Sequence, residues 1–192
     1  MPKLLLIGDS ISIHYTPGVT QGLAGVLDVT HHEGNAQDSR HLRENLDAYL
    51  DAAGPVDLIH FNVGLHDVKL PRDGSGHQVP FDAYRENLAA VVERLGRTDA
   101  KLMWATTTPV IFERHAAVKD FDRRCEDVLA YNAVAGEIVA AVGIPVDDLF
   151  AAVERAGVER CLGDDGVHMS REGNAVLAEK VCQAVRQLWG RS

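Results

Sequence analysis

The sequence predicts an α/β fold in which a five-stranded parallel sheet is covered by helices on both faces. Two observations lead to it. Short apolar runs of strand length alternate with longer segments whose apolar residues recur at helical spacing. The alternation is regular, and strand–helix–strand order implies parallel strands joined by right-handed crossovers. A length of 192 residues suits one such domain, spanning residues 1–192.

Taken in order, Lys3–Ile7 (KLLLI) suits a buried first strand and is followed by the turn Gly8-Asp9-Ser10. Val26–His32 is a weaker strand, partly polar. Asp38 and Ser39 offer cap residues for a helix that runs to about Ala53 and closes on Gly54-Pro55. Asp57–Asn62 (DLIHFN) reads as a strand entering a glycine turn at Gly64. The stretch Lys69–Val79, with Asp73-Gly74-Ser75-Gly76, is the most loop-like in the chain. In Phe81–Leu95, the residues Tyr84, Leu88, Val91, Val92 and Leu95 fall on one helical face. Lys101–Thr107 (KLMWATT) is a fourth strand stopped by Pro109, and Ile144–Asp147 is a short fifth. Helices through Cys125–Val142 and Glu172–Trp189 carry comparable stripes. Five strands in this pattern fit a flavodoxin-like order, 2-1-3-4-5, although the pattern does not itself determine strand order.

Lysine and arginine number 19 against 28 aspartates and glutamates, a formal net charge of −9. A field of that sign repels phosphate backbones, and no cluster of Lys and Arg overrides it in the sequence. Nucleic acid is therefore not an expected partner. The apolar run Leu4–Ile7 is too short for a signal-peptide core or a membrane span, so no membrane partner is expected and a cytoplasmic location is the default. Cys125, Cys161 and Cys182 show neither disulfide-framework nor CxxC spacing and read as free thiols. His14, His31, His32, His60, His66, His77 and His115 are scattered, without the His-x-x-x-His spacing of a helical zinc site. No metal and no cofactor are expected. His60, inside the third strand, reads as a core residue.

In open α/β sheets, ligands bind beyond the carboxyl ends of the strands. Polar clusters sit in those places here. Gly8-Asp9-Ser10 follows the first strand, Glu33 to Arg40 the second, Asn62 to Asp67 the third, and Thr106-Thr107-Thr108-Pro109 the fourth. Asp164 to His168 come just before the last helix. A serine hydroxyl becomes a nucleophile when a base removes its proton and a third group orients that base. Ser10 sits on a strand-to-helix turn. Asp165 and His168 are three residues apart, so in one helical turn they share a face. Asp165 can then accept the Nδ1–H of His168 and leave Nε2 for Ser10. Donors for an oxyanion are the remaining requirement. Backbone N–H groups of Ser10 and of the Asn35–Asp38 turn are available, with a side chain from the Gly64–Asp67 loop. Each motif alone is ordinary; their order and their places at strand ends carry the reading.

With those residues in view, the chain resembles the SGNH hydrolase superfamily, the GDSL-like lipases, acylhydrolases and esterases. The first block appears as Gly8-Asp9-Ser10-Ile11-Ser12, and the fifth, Asp-x-x-His, as Asp165-Gly166-Val167-His168. The third block, usually Gly-x-Asn-Asp, appears as Gly64-Leu65-His66-Asp67, which is similar to a bacterial subgroup carrying Gly-Leu-His-Asp. The second block of that subgroup, Asn-x-x-Asp-Ser/Thr-Arg, corresponds to Asn35-Ala36-Gln37-Asp38-Ser39-Arg40. Softer echoes are Tyr131-Asn132 and Asp148-Leu149. The resemblance implies a three-layer α/β/α sandwich and metal-free hydrolysis of an ester or thioester. It implies Ser10, Asp165 and His168 as a catalytic triad, and an oxyanion hole of the Ser10 and Gln37 backbone N–H groups with the His66 side chain. Two departures stand out. His66 replaces the oxyanion-hole Asn, and its one N–H when neutral can serve the same purpose, with an added pH dependence. Gln37 replaces a glycine, so its backbone N–H is kept only if the turn does not need positive φ.

The neighbouring residues have quieter readings. Asp9 and Asp67 are expected to fix their turns, and Asn35 to tie the second loop together. Arg40 pairs with an acid or meets a polar substrate group. His14, four residues past Ser10, lines the pocket or caps its turn. The polar rim and the lack of a long apolar lid favour a short acyl chain, acetyl first, on a polar alcohol such as a carbohydrate. A lysophospholipase or acyl-thioesterase is the alternative within the enzyme class. Outside it stands a non-catalytic binding module on the same fold. The oligomeric state is not legible.

Overall fold

Residues 1–190 are described by the structure, a computed structural model. The elements in chain order are β1 (Lys3–Ile7), α1 (Ser10–Gly22), β2 (Asp28–His31), α2 (Ser39–Ala53), β3 (Leu58–Phe61), β4 (Leu70–Pro71), α3 (Phe81–Leu95) and β5 (Lys101–Ala105). They continue as α4 (Phe112–Val118), β6 (Phe121–Asp122), α5 (Cys125–Ala141), β7 (Val146–Asp147), α6 (Leu149–Ala156), α7 (Val158–Cys161) and α8 (Arg171–Trp189). Five of the strands form one parallel sheet in the order β2-β1-β3-β5-β7. Counted along the chain, that is the expected 2-1-3-4-5 order.

Burial follows from position in the sheet. β1 lies between β2 and β3 and has helices on both faces, so Leu4, Leu5, Leu6 and Ile7 are all buried. β2 is an edge strand and alternates between exposed and half-buried residues, which explains why it read as partly polar. One helical layer holds α1 and α8 with α6 and α7, and the other holds α2, α3 and α5. Strand and helix ends fall within one or two residues of the expected ones for all five sheet strands and for α2, α3, α5 and α8.

Several elements were not legible beforehand. α1 carries Pro17, Gly18 and Gly22, and its polar and apolar residues are poorly segregated, so it gave no clear helical stripe. α4, α6 and α7 are short. Leu70–Pro71, inside the loop-like stretch, pairs antiparallel with Phe121–Asp122 to make a small ribbon apart from the main sheet.

The contact that sets where Ser10 and His168 lie is α1 against α8. A Cβ on Gly18 would stand 2.7 Å from the Ala178 Cβ, and one on Gly22 would stand 2.6 Å from the Cys182 Sγ. Both pairs are spaced by four, so two small-residue faces meet at close range and the helices run parallel. α1 begins at Ser10 and α8 begins just after His168. Their close packing therefore brings both amino ends to one rim of the sheet. Beneath that rim, His60 is buried as expected. Its Nε2 lies 3.0 Å from Asp147 Oδ2, while Lys180 Nζ lies 3.0 Å from the other oxygen.

Candidate active site

Gly8, Asp9 and Ser10 turn the chain from β1 into α1. The Ile11 N–H donates to Asp9 Oδ1 at 2.9 Å, so Asp9 caps the helix and Ser10 becomes its first residue. The Ser10 N–H is then one of the unpaired donors at a helix amino end, where the helix dipole favours negative charge. Asp9 is buried, and burial raises its pKa above the ordinary carboxylate value. Its carboxyl joins the end of β1 to the first turn of α1 through the Ile11 N–H.

Ser10 Oγ lies 3.0 Å from His168 Nε2, and His168 Nδ1 lies 2.6 Å from Asp165 Oδ2. The chain of contacts thus joins residues 158 positions apart. The local geometry differs from the expected helical turn. Residues 163–170 form a tight turn between α7 and α8, closed by the Gly166 N–H on the Gly163 carbonyl. The N–H groups of Val167 and His168 donate to Asp165 Oδ1 at 3.0 and 2.9 Å. Gly166 has φ +69, and a Cβ there would run into the backbone of Ile111 and the side chain of Arg114 at the start of α4. Only glycine suits that position. Burial alone would raise the Asp165 pKa, but the hydrogen bonds from His168 and Val167 outweigh it and hold the carboxyl below its ordinary value. It remains ionised at neutral pH and keeps Nδ1 protonated, which leaves the Nε2 lone pair directed at Ser10.

His66 lines the same cleft as Ser10 and His168, a hollow of about 400 Å³. Burial, reinforced by the charges of Lys69 and Arg123, lowers its pKa to about 3. It is neutral at pH 7 and offers one N–H. The pH dependence expected from this imidazole is displaced to acid. Gln37 has φ 53, so the turn does demand a left-handed residue here, and Gln37 adopts that conformation in place of the glycine of the resembled family. Its N–H donates to Asn35 Oδ1 at 2.7 Å and is not free.

Asp67 and Asn35 make hydrogen bonds within and between the loops, whereas Arg40 and His14 are exposed. Both oxygens of Asp67 accept from the Ser39 N–H, at 2.9 and 3.2 Å, which ties the third loop to the start of α2. Burial raises the Asp67 pKa to about 7. Arg40 is exposed and pairs with Asp38 at 3.0 Å, outside the cleft lining. Asn35 reaches the cleft, and His14 is exposed with its ring centroid 5.5 Å from that of His168. Asn132, an echo of the family pattern, is bonded in both directions to the backbone of Thr107.

Sequence reasoning missed four residues of the cleft wall. They are Lys69, Lys119, Phe121 and Arg123, presented by the β4–β6 ribbon and its flanks. Arg123 is buried, and its Nε–H donates to the Leu65 carbonyl at 2.7 Å, which holds the loop that carries His66. No local pattern marks any of the four, because the ribbon joins segments about 50 positions apart.

With this geometry in place, the comparison with known proteins is direct. Residues 6–176 match the GDSL-like lipase/acylhydrolase family. The chain belongs to that family. Membership supports ester hydrolysis as its chemistry, and the match spans every block read from the sequence. Solved structures of similar fold include a lipase/acylhydrolase from Enterococcus faecalis, at 20% identity with TM-score 0.81, covering 97% of this chain and 96% of that one. Two acetyl xylan esterases are also similar. AlAXEase has 20% identity and TM-score 0.77, covering 95% of this chain and 99% of that one. Axe2 from Geobacillus stearothermophilus has 20% identity and TM-score 0.73, covering 96% and 94%. At such identities these structures speak to the fold alone, the SGNH hydrolase fold of a parallel sheet between helices. No curated protein sequence matches the chain. Among the described residues, no helix is long and apolar enough to cross a membrane.

Proposed function

We propose that this chain is a serine esterase that removes a short acyl group, acetyl above all, from a polar alcohol such as a carbohydrate. The observation that carries the reading is the Ser10–His168–Asp165 hydrogen-bond chain, at 3.0 and 2.6 Å. His168 Nε2 takes the Ser10 proton as Oγ attacks the ester carbonyl carbon. The tetrahedral oxyanion forms beside the Ser10 N–H and the His66 ring N–H. Its collapse breaks the bond to the alcohol oxygen, which leaves with the proton from His168. Water then attacks the acyl-enzyme, giving its proton to Nε2, and the second collapse releases the acid and restores Ser10. Asp165 stays ionised throughout and holds Nδ1–H in place. Two oxyanion donors are assigned, because the Gln37 N–H must give up Asn35 before it can become a third.

The substrate preference rests on the cleft. It is an open hollow in which Asn35, His66 and three cations stand beside the apolar Leu65, Phe121 and Val167, with room for a small acyl group and no enclosed channel for a long one. The acetyl xylan esterases among the structures of similar fold point the same way. A longer acyl chain is the second reading, and one observation favours it. A shallow apolar groove of about 590 Å³, lined by Ile13, Thr16 and Pro17, borders the cleft at Asn35. p-Nitrophenyl esters of increasing chain length separate the two. Rates falling beyond about four carbons support the short-chain reading, and rates rising beyond eight remove it. The Ser10→Ala variant should keep the fold and lose turnover of p-nitrophenyl acetate. Retained turnover would take Ser10 out of the mechanism.

A further inference from the structure

The charge around the cleft is opposite in sign to that of the whole chain. The formal net charge is −9, yet the cleft wall holds Lys69, Lys119 and Arg123 and no carboxylate. Among the described residues, none of these three has a carboxylate within ion-pair distance. Elsewhere, Arg40, Arg72, Arg85, Arg94, Arg97 and Arg114 each do. Phe121 holds two of the cations in place. Its ring centroid lies 5.4 Å from Lys69 Nζ and 5.0 Å from Arg123 Cζ.

The acids that act on this cluster from a distance are already committed. Asp165 is bonded to His168, and Asp38 is paired with Arg40. Asp9 and Asp67 are buried, which favours their neutral forms. Burial together with the neighbouring Arg123 charge lowers the Lys69 pKa, and burial lowers that of Arg123 to about 10. Lys69 and Arg123, held against one ring, partly out of water and with no carboxylate within ion-pair distance, repel one another, and Lys119 stands exposed on the same wall. An anion placed among them relieves that repulsion, whereas a neutral sugar does not. Such a cluster on an acidic protein also draws anions in and lets neutral ligands pass.

We propose that the alcohol part of the substrate carries an anionic group, a carboxylate or a phosphate, seated on Lys69 and Lys119 while the ester carbonyl lies over Ser10. This rests on the serine-esterase reading above. The charge is placed on the alcohol because an acetyl group has no position to bear one. The proposal narrows the substrate to acylated acidic alcohols, such as an acetylated uronic acid or an acetylated sugar phosphate.

The test compares kcat/KM for 4-acetoxybenzoate and 4-acetoxyphenyl phosphate with that for neutral methyl 4-acetoxybenzoate, each corrected for its rate with hydroxide. The anionic esters should be preferred by about tenfold or more at low ionic strength. The preference should collapse near 1 M salt, where the Debye length is about 3 Å. Whichever anionic ester is favoured distinguishes carboxylate from phosphate. In a Lys69→Gln/Lys119→Gln double variant, the ratio of anionic to neutral turnover should fall by about tenfold, the gap set by two nearby charges. Equal turnover of charged and neutral esters, or a preference that survives both substitutions, overturns the inference and leaves the esterase reading standing. A preference seen only for p-nitrophenyl hemisuccinate over p-nitrophenyl butyrate moves the charge to the acyl side and overturns it as well. If the wild type is as silent as Ser10→Ala on every ester, the esterase reading falls and takes this inference with it.

Discussion

Removing the imidazole at position 66 tests the oxyanion assignment directly. His66 lines the cleft beside Ser10, and no hydrogen bond joins its ring to the rest of the described protein. With a pKa lowered to about 3 by burial and by Lys69 and Arg123, it is neutral and carries a single N–H. A preorganised donor of that kind contributes about 3–4 kcal/mol to the transition state, or about 10² to 10³ in kcat. His66→Ala should therefore lose that factor in kcat on p-nitrophenyl acetate, with KM nearly unchanged, because the oxyanion exists only after attack. His66→Asn supplies an amide N–H and should retain kcat to within about tenfold of the wild type. The pH profile adds a second arm. Imidazolium forms at residue 66 only near pH 3, so the acid limb of kcat/KM above about pH 5 should have the same midpoint in wild type and His66→Asn. If His66→Ala stays within about threefold of wild type, the ring is not an oxyanion donor. A midpoint that moves in His66→Asn would show that the imidazole titrates well above about pH 3.

Asp165→Asn keeps the shape of the turn but lets Nδ1 of His168 act as an acceptor, presenting the wrong tautomer to Ser10. kcat should fall by a factor on the order of 10⁴, measured with the same ester. Gly18→Ala pits helix propensity against packing. Alanine gains about 1 kcal/mol as a helix former, but its Cβ would stand 2.7 Å from the Ala178 Cβ. Overpacking costs about 1–3 kcal/mol, so the net effect should be destabilising, seen as a lower urea midpoint, and a higher midpoint would show that α1 and α8 are not tightly apposed. Asp67→Asn tests a buried carboxyl by its pH dependence. The folded-state pKa, raised to about 7 from 3.8, means that the folded protein keeps a proton the unfolded chain loses. This contribution is fully present below about pH 4 and is lost as pH rises to about 7. The asparagine variant lacks that loss, so its stability relative to wild type should improve between about pH 4 and pH 7 in urea titrations. A constant difference across that window would mean that Asp67 is ionised in the folded protein.

Features that depend on neighbours along the chain were legible before any fold was known. The apolar run Leu4–Ile7, the stripe through Tyr84, Leu88 and Val91, and the Asp38 cap at α2 are local patterns, and each became the expected element. The positions of Ser10, His66 and the Asp165–His168 turn were legible for the same reason, because each motif is contiguous. The extent of α1 was not legible because its buried face is interrupted by Pro17 and Gly18, and its glycines at 18 and 22 meet α8 at close range without marking an apolar stripe. Everything else depended on packing between distant segments. It packed α1 on α8 so that Ser10 and His168 meet, gave the Gln37 N–H to Asn35, and set the titration of His66 and Asp67 by burial. It also gathered Lys69, Lys119 and Arg123 into one cationic wall on a chain of formal charge −9. Net charge is a sum over the sequence, but a local field falls off with distance in space, and only the fold decides which charges are close.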